Sequence, residues 1–115
     1  MSGAALVLVV DDSRDQLELL RLLLSRAGYD VFAAVDAESA IAAFDEITPA
    51  IAILDLILPG VSGQECAVRV RERFPECAII VSSVLDAADY PAADVALPKP
   101  VTGATLYKAI EKVAA

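Results

Sequence analysis

The stretch AIAILDLILPGVSG, residues 50–63, decides how this chain folds. Ala50 to Leu54 is an unbroken apolar run with two isoleucines, which predicts a strand buried on both faces. The run ends on an acid, Asp55; Pro59-Gly60 then turns the chain, and Ser62 opens a helix. A lone carboxylate where a buried strand meets a loop is costly unless something there uses its charge. Working outward, a second apolar run (ALVLVV, residues 5–10) ends in the pair Asp11-Asp12, and a third (DVALP, 94–98) is followed by Lys99. Parallel strands lying side by side would bring three carboxylates and one ammonium to the same edge of one sheet.

The rest of the chain alternates the same two patterns. Leu6 to Val10 predicts the first strand. Ser13 and Gln16 make a capping box before a helix whose inner face is Leu17, Leu20, Leu24 and Ala27, and Gly28 stops it. After a strand over 30–35, Asp36 caps a helix carrying Ala40, Ile41, Phe44 and Ile47, which Thr48-Pro49 breaks. Ser62 and Glu65 cap a third helix with Cys66, Val70 and Phe74 inward and Arg69, Arg71, Glu72 and Arg73 outward; Pro75 ends it. Residues 78–82, AIIVS, predict a fourth strand, and Thr102 caps a last helix with Leu106, Ile110 and Val113. Between these two, VLDAADYPAAD (84–94) has little space for a helix before Pro91, so the helix there is expected to be shortened or missing.

Strands apolar on both faces, alternating with helices, imply a parallel sheet covered on each side. Right-handed crossovers make it a doubly wound α/β sheet, whose sites lie at the carboxyl ends of the strands. Asp11, Asp12, Asp55, Ser83 and Lys99 all fall at or just beyond such ends.

With 115 residues the chain is expected to form one domain over 1–115, and its 57% hydrophobic content excludes disorder. A net charge of −8 argues against direct binding to nucleic acid or to an anionic membrane. The apolar run at 4–10 is too short to span a bilayer and lacks the basic segment and cleavage site of a signal peptide. Cys66 and Cys77 have no metal-ligand spacing and there is no histidine, so both read as reduced packing residues of a cytoplasmic protein.

Three clustered carboxylates repel one another and are tenable mainly around a divalent cation; oxygen ligands suit Mg²⁺, with Mn²⁺ as a substitute. A helix cap accounts for only one acid of the Asp11-Asp12 pair, and Ser13 already serves as that cap. A carboxylate is also a competent nucleophile toward a phosphoryl group, giving an acyl phosphate. Metal and ammonium would neutralise the transferring oxygens. A hydroxyl, Ser83 or as second choice Ser82, would hydrogen-bond one of them.

The segments VLVVDDSRDQLELLRLLL, ILDLILPGVSG, IIVSS and LPKP, in this order, resemble the receiver domain of two-component response regulators, and the likeness covers nearly the whole chain. The resemblance implies a flavodoxin-like five-stranded parallel sheet in the order 2-1-3-4-5. It makes Asp55 the phosphorylated aspartate, with Asp12, Asp11, Asp55 itself and the backbone carbonyl of Ile57 holding Mg²⁺. Ser83 becomes the switch hydroxyl and Lys99 the charge partner, followed by a Lys99-Pro100 bond that is often cis in the family. The implied partner is a histidine kinase or histidine phosphotransfer protein, contacted on the first helix through Gln16, Leu17 and Leu20, and the only catalysis is on the domain itself. Three features depart from the family. Ser83 and Lys99 lie closer together than usual, Ala96 stands where a switch aromatic is expected (Tyr90 does not align), and Val84-Leu85 follow the hydroxyl in place of a small residue. These keep a second reading open, a pseudo-receiver serving as a docking domain without phosphorylation. A haloacid-dehalogenase-type phosphatase would need its second acid two residues after the first-strand aspartate and a cap domain. A flavin-binding flavodoxin would need a Ser/Thr/Gly-rich loop after that strand.

Overall fold

Every residue of the central strand, β3 (Ile51–Asp55), is buried. In the computed structural model, which describes residues 4–83 and 94–114, four parallel strands flank it: β1 (Leu6–Val10), β2 (Asp30–Ala34), β4 (Ala78–Ser83) and β5 (Val95–Pro98). The sheet order is β2-β1-β3-β4-β5. The helices are α1 (Arg14–Arg26), α2 (Ala37–Ala42), α3 (Gly63–Arg73) and α4 (Gly103–Ala114), four among the described residues. This is the doubly wound sheet that the alternation implies, in the flavodoxin-like strand order that the resemblance implies. Of the segment 84–94, where a shortened or missing helix is expected, residues 84–93 lie outside the described residues.

The period of two in the strands divides the core. Leu8, Val10, Ala52, Leu54, Ile79 and Val81 pack with α2 and α3 residues such as Ala40, Cys66 and Val70. Val7, Val9, Ile51, Ile53, Ile80 and Leu97 pack on the opposite face with Leu20 and Leu24 of α1 and Leu106 and Ile110 of α4. With both faces covered, no register shift of a central strand keeps its side chains in place, and the strand ends are fixed with them.

The helix ends follow the capping chemistry of the sequence. Ser13, Asp36 and Ser62 each accept a hydrogen bond from the backbone N–H three residues on. Thr102 and Thr105 do so reciprocally at the start of α4. Gly28 follows α1 with φ +92°, a left-handed value glycine adopts without a Cβ penalty. Two expectations are corrected. Ala27 is the exposed C-cap of α1 and not part of its inner face, and α2 ends at Ala42, so Phe44 packs from beyond the helix. No helix among the described residues is long and apolar enough to cross a membrane.

Candidate functional site

The carboxyl ends of β1 and β3 lie side by side, with Val10 in register with Leu54. The next residue of each strand is therefore an acid beside an acid. Asp11 and Asp55 are 2% and 6% exposed, so both need partners. Each finds them in the same way. One oxygen turns back on its own chain: Asp11 Oδ1 accepts from the Ser13 N–H at 2.9 Å, and Asp55 Oδ1 from the Ile57 N–H at 3.1 Å. These Asx turns fix the angle of each carboxylate and bend the strand into its loop. The other oxygen goes to Lys99, whose Nζ lies 2.9 Å from Asp11 Oδ2 and 3.0 Å from Asp55 Oδ2.

Burial would pull the Lys99 ammonium down, but its hydrogen bonds to Asp11 and Asp55 and their charges outweigh that and hold it above the ordinary 10.5. Asp12 is exposed and, among the described residues, makes no hydrogen bond or ion pair. One carboxylate oxygen from each of Asp11, Asp12 and Asp55 lies within 4.8 Å of the others. One ammonium against three carboxylates leaves the cluster two negative charges in excess. A set of hard oxygen donors with that excess fits a divalent cation such as Mg²⁺.

Glycines set how closely the loop returns. A Cβ on Gly63, the first residue of α3, would overlap the backbone carbonyl oxygen of Asp55, so only glycine lets the helix start directly behind the acid. Gly60, at φ +70°, lies against the carboxylate of Glu38, which accepts from the Val61 N–H at 3.3 Å. The loop that holds Ile57 is thus tied at both ends. Ile57 has its N–H on Asp55 and its side chain 58% exposed at the lip of the site.

Asp11, Asp12, Asp55 and Lys99 are thus brought together as expected, and the Lys99-Pro100 bond is cis. Ser83 ends β4 opposite Pro98; its side chain lies outside what the structure describes, as do Val84, Leu85 and Tyr90. The neighbouring serine stands out instead. Ser82 is in register with Asp55 on one side and Leu97 on the other, and it is 1% exposed. Counting by twos from Ile80 and Ile53 puts Ser82 and Asp55 on one face of the sheet. Among the described residues the buried Ser82 Oγ has no hydrogen-bond partner, a state that costs about 1–3 kcal/mol and needs a reason. The register of β4 against β3, which no local pattern in the sequence gives, is what singles out this serine. Ala96, partly buried and paired with Val81, lies on the other face among the α2 and α3 packing.

Two residues expected to meet a partner are in the core: Leu17 and Leu20 are 8% and 1% exposed. The leucines that α1 presents to solvent are Leu19 and Leu22. Half of the six leucines of α1 face inward, and the helical period selects that row, Leu17, Leu20 and Leu24, which leaves no free face on Leu17 or Leu20 for a partner.

A parallel sheet of this order with an acid triad and a lysine at its carboxyl edge defines a receiver-type site. The sequence profile of the response regulator receiver domain matches residues 7–111, and the chain belongs to that family. It is 44% identical over 66 residues to the transcriptional regulatory protein TrcR of Mycobacterium tuberculosis. That match takes in 57% of this chain and 26% of TrcR, so the chain spans about a quarter of the length of that relative. Among solved structures it is similar to the response regulator TrrA of Thermotoga maritima in complex with Mg²⁺ and BeF, at 29% identity and TM-score 0.85 over 95% of this chain and 98% of that one. The chemotaxis response regulator CheY4 of Vibrio cholerae is similar at 27% identity and TM-score 0.88, over 96% and 99% of the two chains. A CheY-like receiver protein of Methanospirillum hungatei shares the fold at TM-score 0.89, over 97% and 95% of the two chains.

Proposed function

We propose that this receiver domain accepts a phosphoryl group on Asp55 from a histidine kinase or a histidine phosphotransfer protein. The observation that carries the reading is the Asp55 carboxylate itself: buried at a strand end, fixed by the Ile57 N–H and neutralised by Lys99, beside two further acids. A carboxylate oxygen of Asp55 attacks phosphorus. The bond from phosphorus to the donor nitrogen or oxygen breaks, the leaving group keeps the electron pair, and Asp55 carries an acyl phosphate. The fixed carboxylate needs no reorientation before attack, which is what positioning contributes to phosphoryl transfer. Lys99 follows the developing charge from Asp55 onto the phosphoryl oxygens. Ser82, with its hydroxyl unpartnered and on the Asp55 face, is the donor to one of those oxygens.

Asp11, Asp12, Asp55 and the backbone carbonyl of Ile57 would hold Mg²⁺, or Mn²⁺ in its place. That ion supplies charge neutralisation at the transferred group. The complex of the similar protein TrrA with Mg²⁺ and BeF supports this assignment. The chemistry acts on the domain's own aspartate, so it is a signalling module and not an enzyme turning over an external substrate. Ala96 favours a second reading, a docking domain that keeps the fold without phosphorylation, because a methyl group has no rotamer with which to report on the site.

Intact mass after incubation with Mg²⁺ and acetyl phosphate separates the two. One added phosphoryl group on the wild type, absent from Asp55→Ala and from a chelated control, is the expected result. No adduct with acetyl phosphate or with a cognate phosphorylated kinase would overturn the phosphoacceptor reading in favour of the docking one.

A further inference from the structure

We infer that Asp94, steadied by Arg71, sets the register of β5 and so positions Lys99 over the acids. The inference rests on the phosphoacceptor reading only for its kinetic readout. β5 has four residues, lies at the edge of the sheet and, among the described residues, pairs only with β4, from Ile80 with Val95 to Ser83 with Pro98. Pro98 has no N–H to give the ladder. A strand so short, paired on one side, holds its register weakly, whereas β1 and β3 are locked between neighbours.

What β5 lacks in length is supplied at its start. The Asp94 N–H donates to the Ile79 carbonyl at 2.8 Å, and the Ile79 N–H donates to Asp94 Oδ2 at 2.8 Å. The side chain thus serves as a ladder acceptor, and it does so at one register only. The same oxygen accepts from Arg71 Nη2 at 3.0 Å, while Arg71 Nη1 reaches the Cys77 carbonyl at 3.3 Å. α3, the start of β4 and the start of β5 are tied together there. The ion pair is half exposed and contributes little alone; its part is to aim the carboxylate at Ile79.

The consequence lies at the other end of the strand. Leu97 is buried against α1 and α4, and Lys99 follows two residues on, with its ammonium on Asp11 and Asp55. A slip of one residue moves the chain about 3.3 Å and turns each side chain to the other face. The 2.9 and 3.0 Å contacts of Lys99 do not survive that. Asp94 is a positioning residue: it touches none of the reacting atoms and acts through Lys99.

The test compares Asp94→Ala, Asp94→Asn and Arg71→Gln with the wild type, with far-ultraviolet circular dichroism establishing that each is folded. The first readout is the set of cross-strand NOEs between Val81 and Ala96 and between Ser82 and Leu97, which report register whether or not the site takes phosphate. The second is the rate of phosphorylation by acetyl phosphate. Asp94→Ala should lose the NOEs and slow phosphorylation by roughly tenfold to a hundredfold, the cost of misplacing a reacting group by about an ångström or more. Asp94→Asn, which keeps an acceptor for the Ile79 N–H, should recover both, a rescue that general destabilisation would not give. If Asp94→Ala does not fold, Arg71→Gln carries the comparison, with weakened NOEs and a smaller rate loss. Intact NOEs in the folded variant, or lost NOEs with an unchanged rate, would overturn the inference. A wild type that takes no phosphate refutes the proposed function, and the NOE comparison still decides the role of Asp94.

Discussion

Replacing Lys99 with methionine keeps the aliphatic stem and removes the charge, which isolates what the ammonium does. The structure sets the size of the effect. Lys99 makes two ion pairs at 2.9 and 3.0 Å with carboxylates whose side chains are 3% and 8% exposed, while its own is 21% exposed. Removing one partner of a fully buried pair costs ~3–5 kcal/mol because the remaining charge is stranded. Water reaches this lysine and the exposed Asp12, so the expected loss is smaller, about 2–3 kcal/mol at pH 7 without divalent cation. For a chain of this length that is a drop in Tm of about 10 °C. The pH dependence follows from the raised pKa of Lys99. Its stabilisation is fully present below the ordinary 10.5 and is lost as pH rises through the higher folded value. The gap between wild type and Lys99→Met should therefore hold from neutral pH to about 10 and close above 10.5. The variant should also bind Mg²⁺ several-fold more tightly, because Asp11 Oδ2 and Asp55 Oδ2 are released. Thermal melts with and without Mg²⁺, with a calorimetric titration, measure all three. A variant that melts with the wild type and binds Mg²⁺ no better would show that Lys99 does not hold the acid cluster.

Other sites give separate tests. Gly63→Ala places a methyl on the Asp55 carbonyl and should cost about 3 kcal/mol or more in urea unfolding, with a loss of phosphorylation in the folded fraction. A Gly63→Ala protein as stable and as readily phosphorylated as wild type would mean that α3 does not start against β3. Ser82→Ala removes a hydroxyl with no partner, so stability should hold or rise slightly, while phosphorylation slows about tenfold or more. Ser83→Ala is the control, and the reverse pattern would return the role to Ser83. Burial pushes the thiols of Cys66 and Cys77 up to about 11, so neither should react with a disulfide reagent at pH 8 until the protein is unfolded. Rapid labelling of the native protein would contradict their packing. The Ser39 hydrogen bond at the start of α2 holds Asp36 below its ordinary value, so the cap stabilises above pH 3.8 and is lost as pH falls through the lower folded value. Asp36→Asn should keep the cap and flatten that part of the acid unfolding curve.

Much of this arrangement was legible because burying a charge is expensive. Asp11 and Asp55 stand out in the sequence since each follows a run with no other polar group, and such an acid survives only where a partner waits. The caps were legible for a related reason: Ser13, Asp36, Ser62 and Thr102 act on their own backbone three residues away, so no distant contact is needed to see them. What the sequence hid depends on which way a side chain points. Ser82 and Ser83 are equivalent in composition, and only the register of β4 against Asp55 separates them. The burial of Leu17 and Leu20 is legible from the helical period, and it is the partner contact assigned to the same two residues that their burial rules out. The clip made by Asp94 joins residues from three elements, and no local pattern announces it.

The strands that build the site are not equally secure, and this bears on how the domain tolerates change. β1 and β3 carry the acids and have neighbours on both sides and helices on both faces. Substituting Leu8 or Ile53 should lower stability by the few kcal/mol typical of core truncation while leaving the acids in place in every molecule that folds. β5 carries the lysine and depends on one neighbouring strand, Leu97 and the Asp94 clip. Substitutions there should separate folding from function, leaving a folded domain with a misplaced ammonium. Two variants of equal Tm, one in β3 and one in β5, should then differ in phosphorylation rate. Equal rates would mean that the site is held by the global stability of the sheet and not strand by strand.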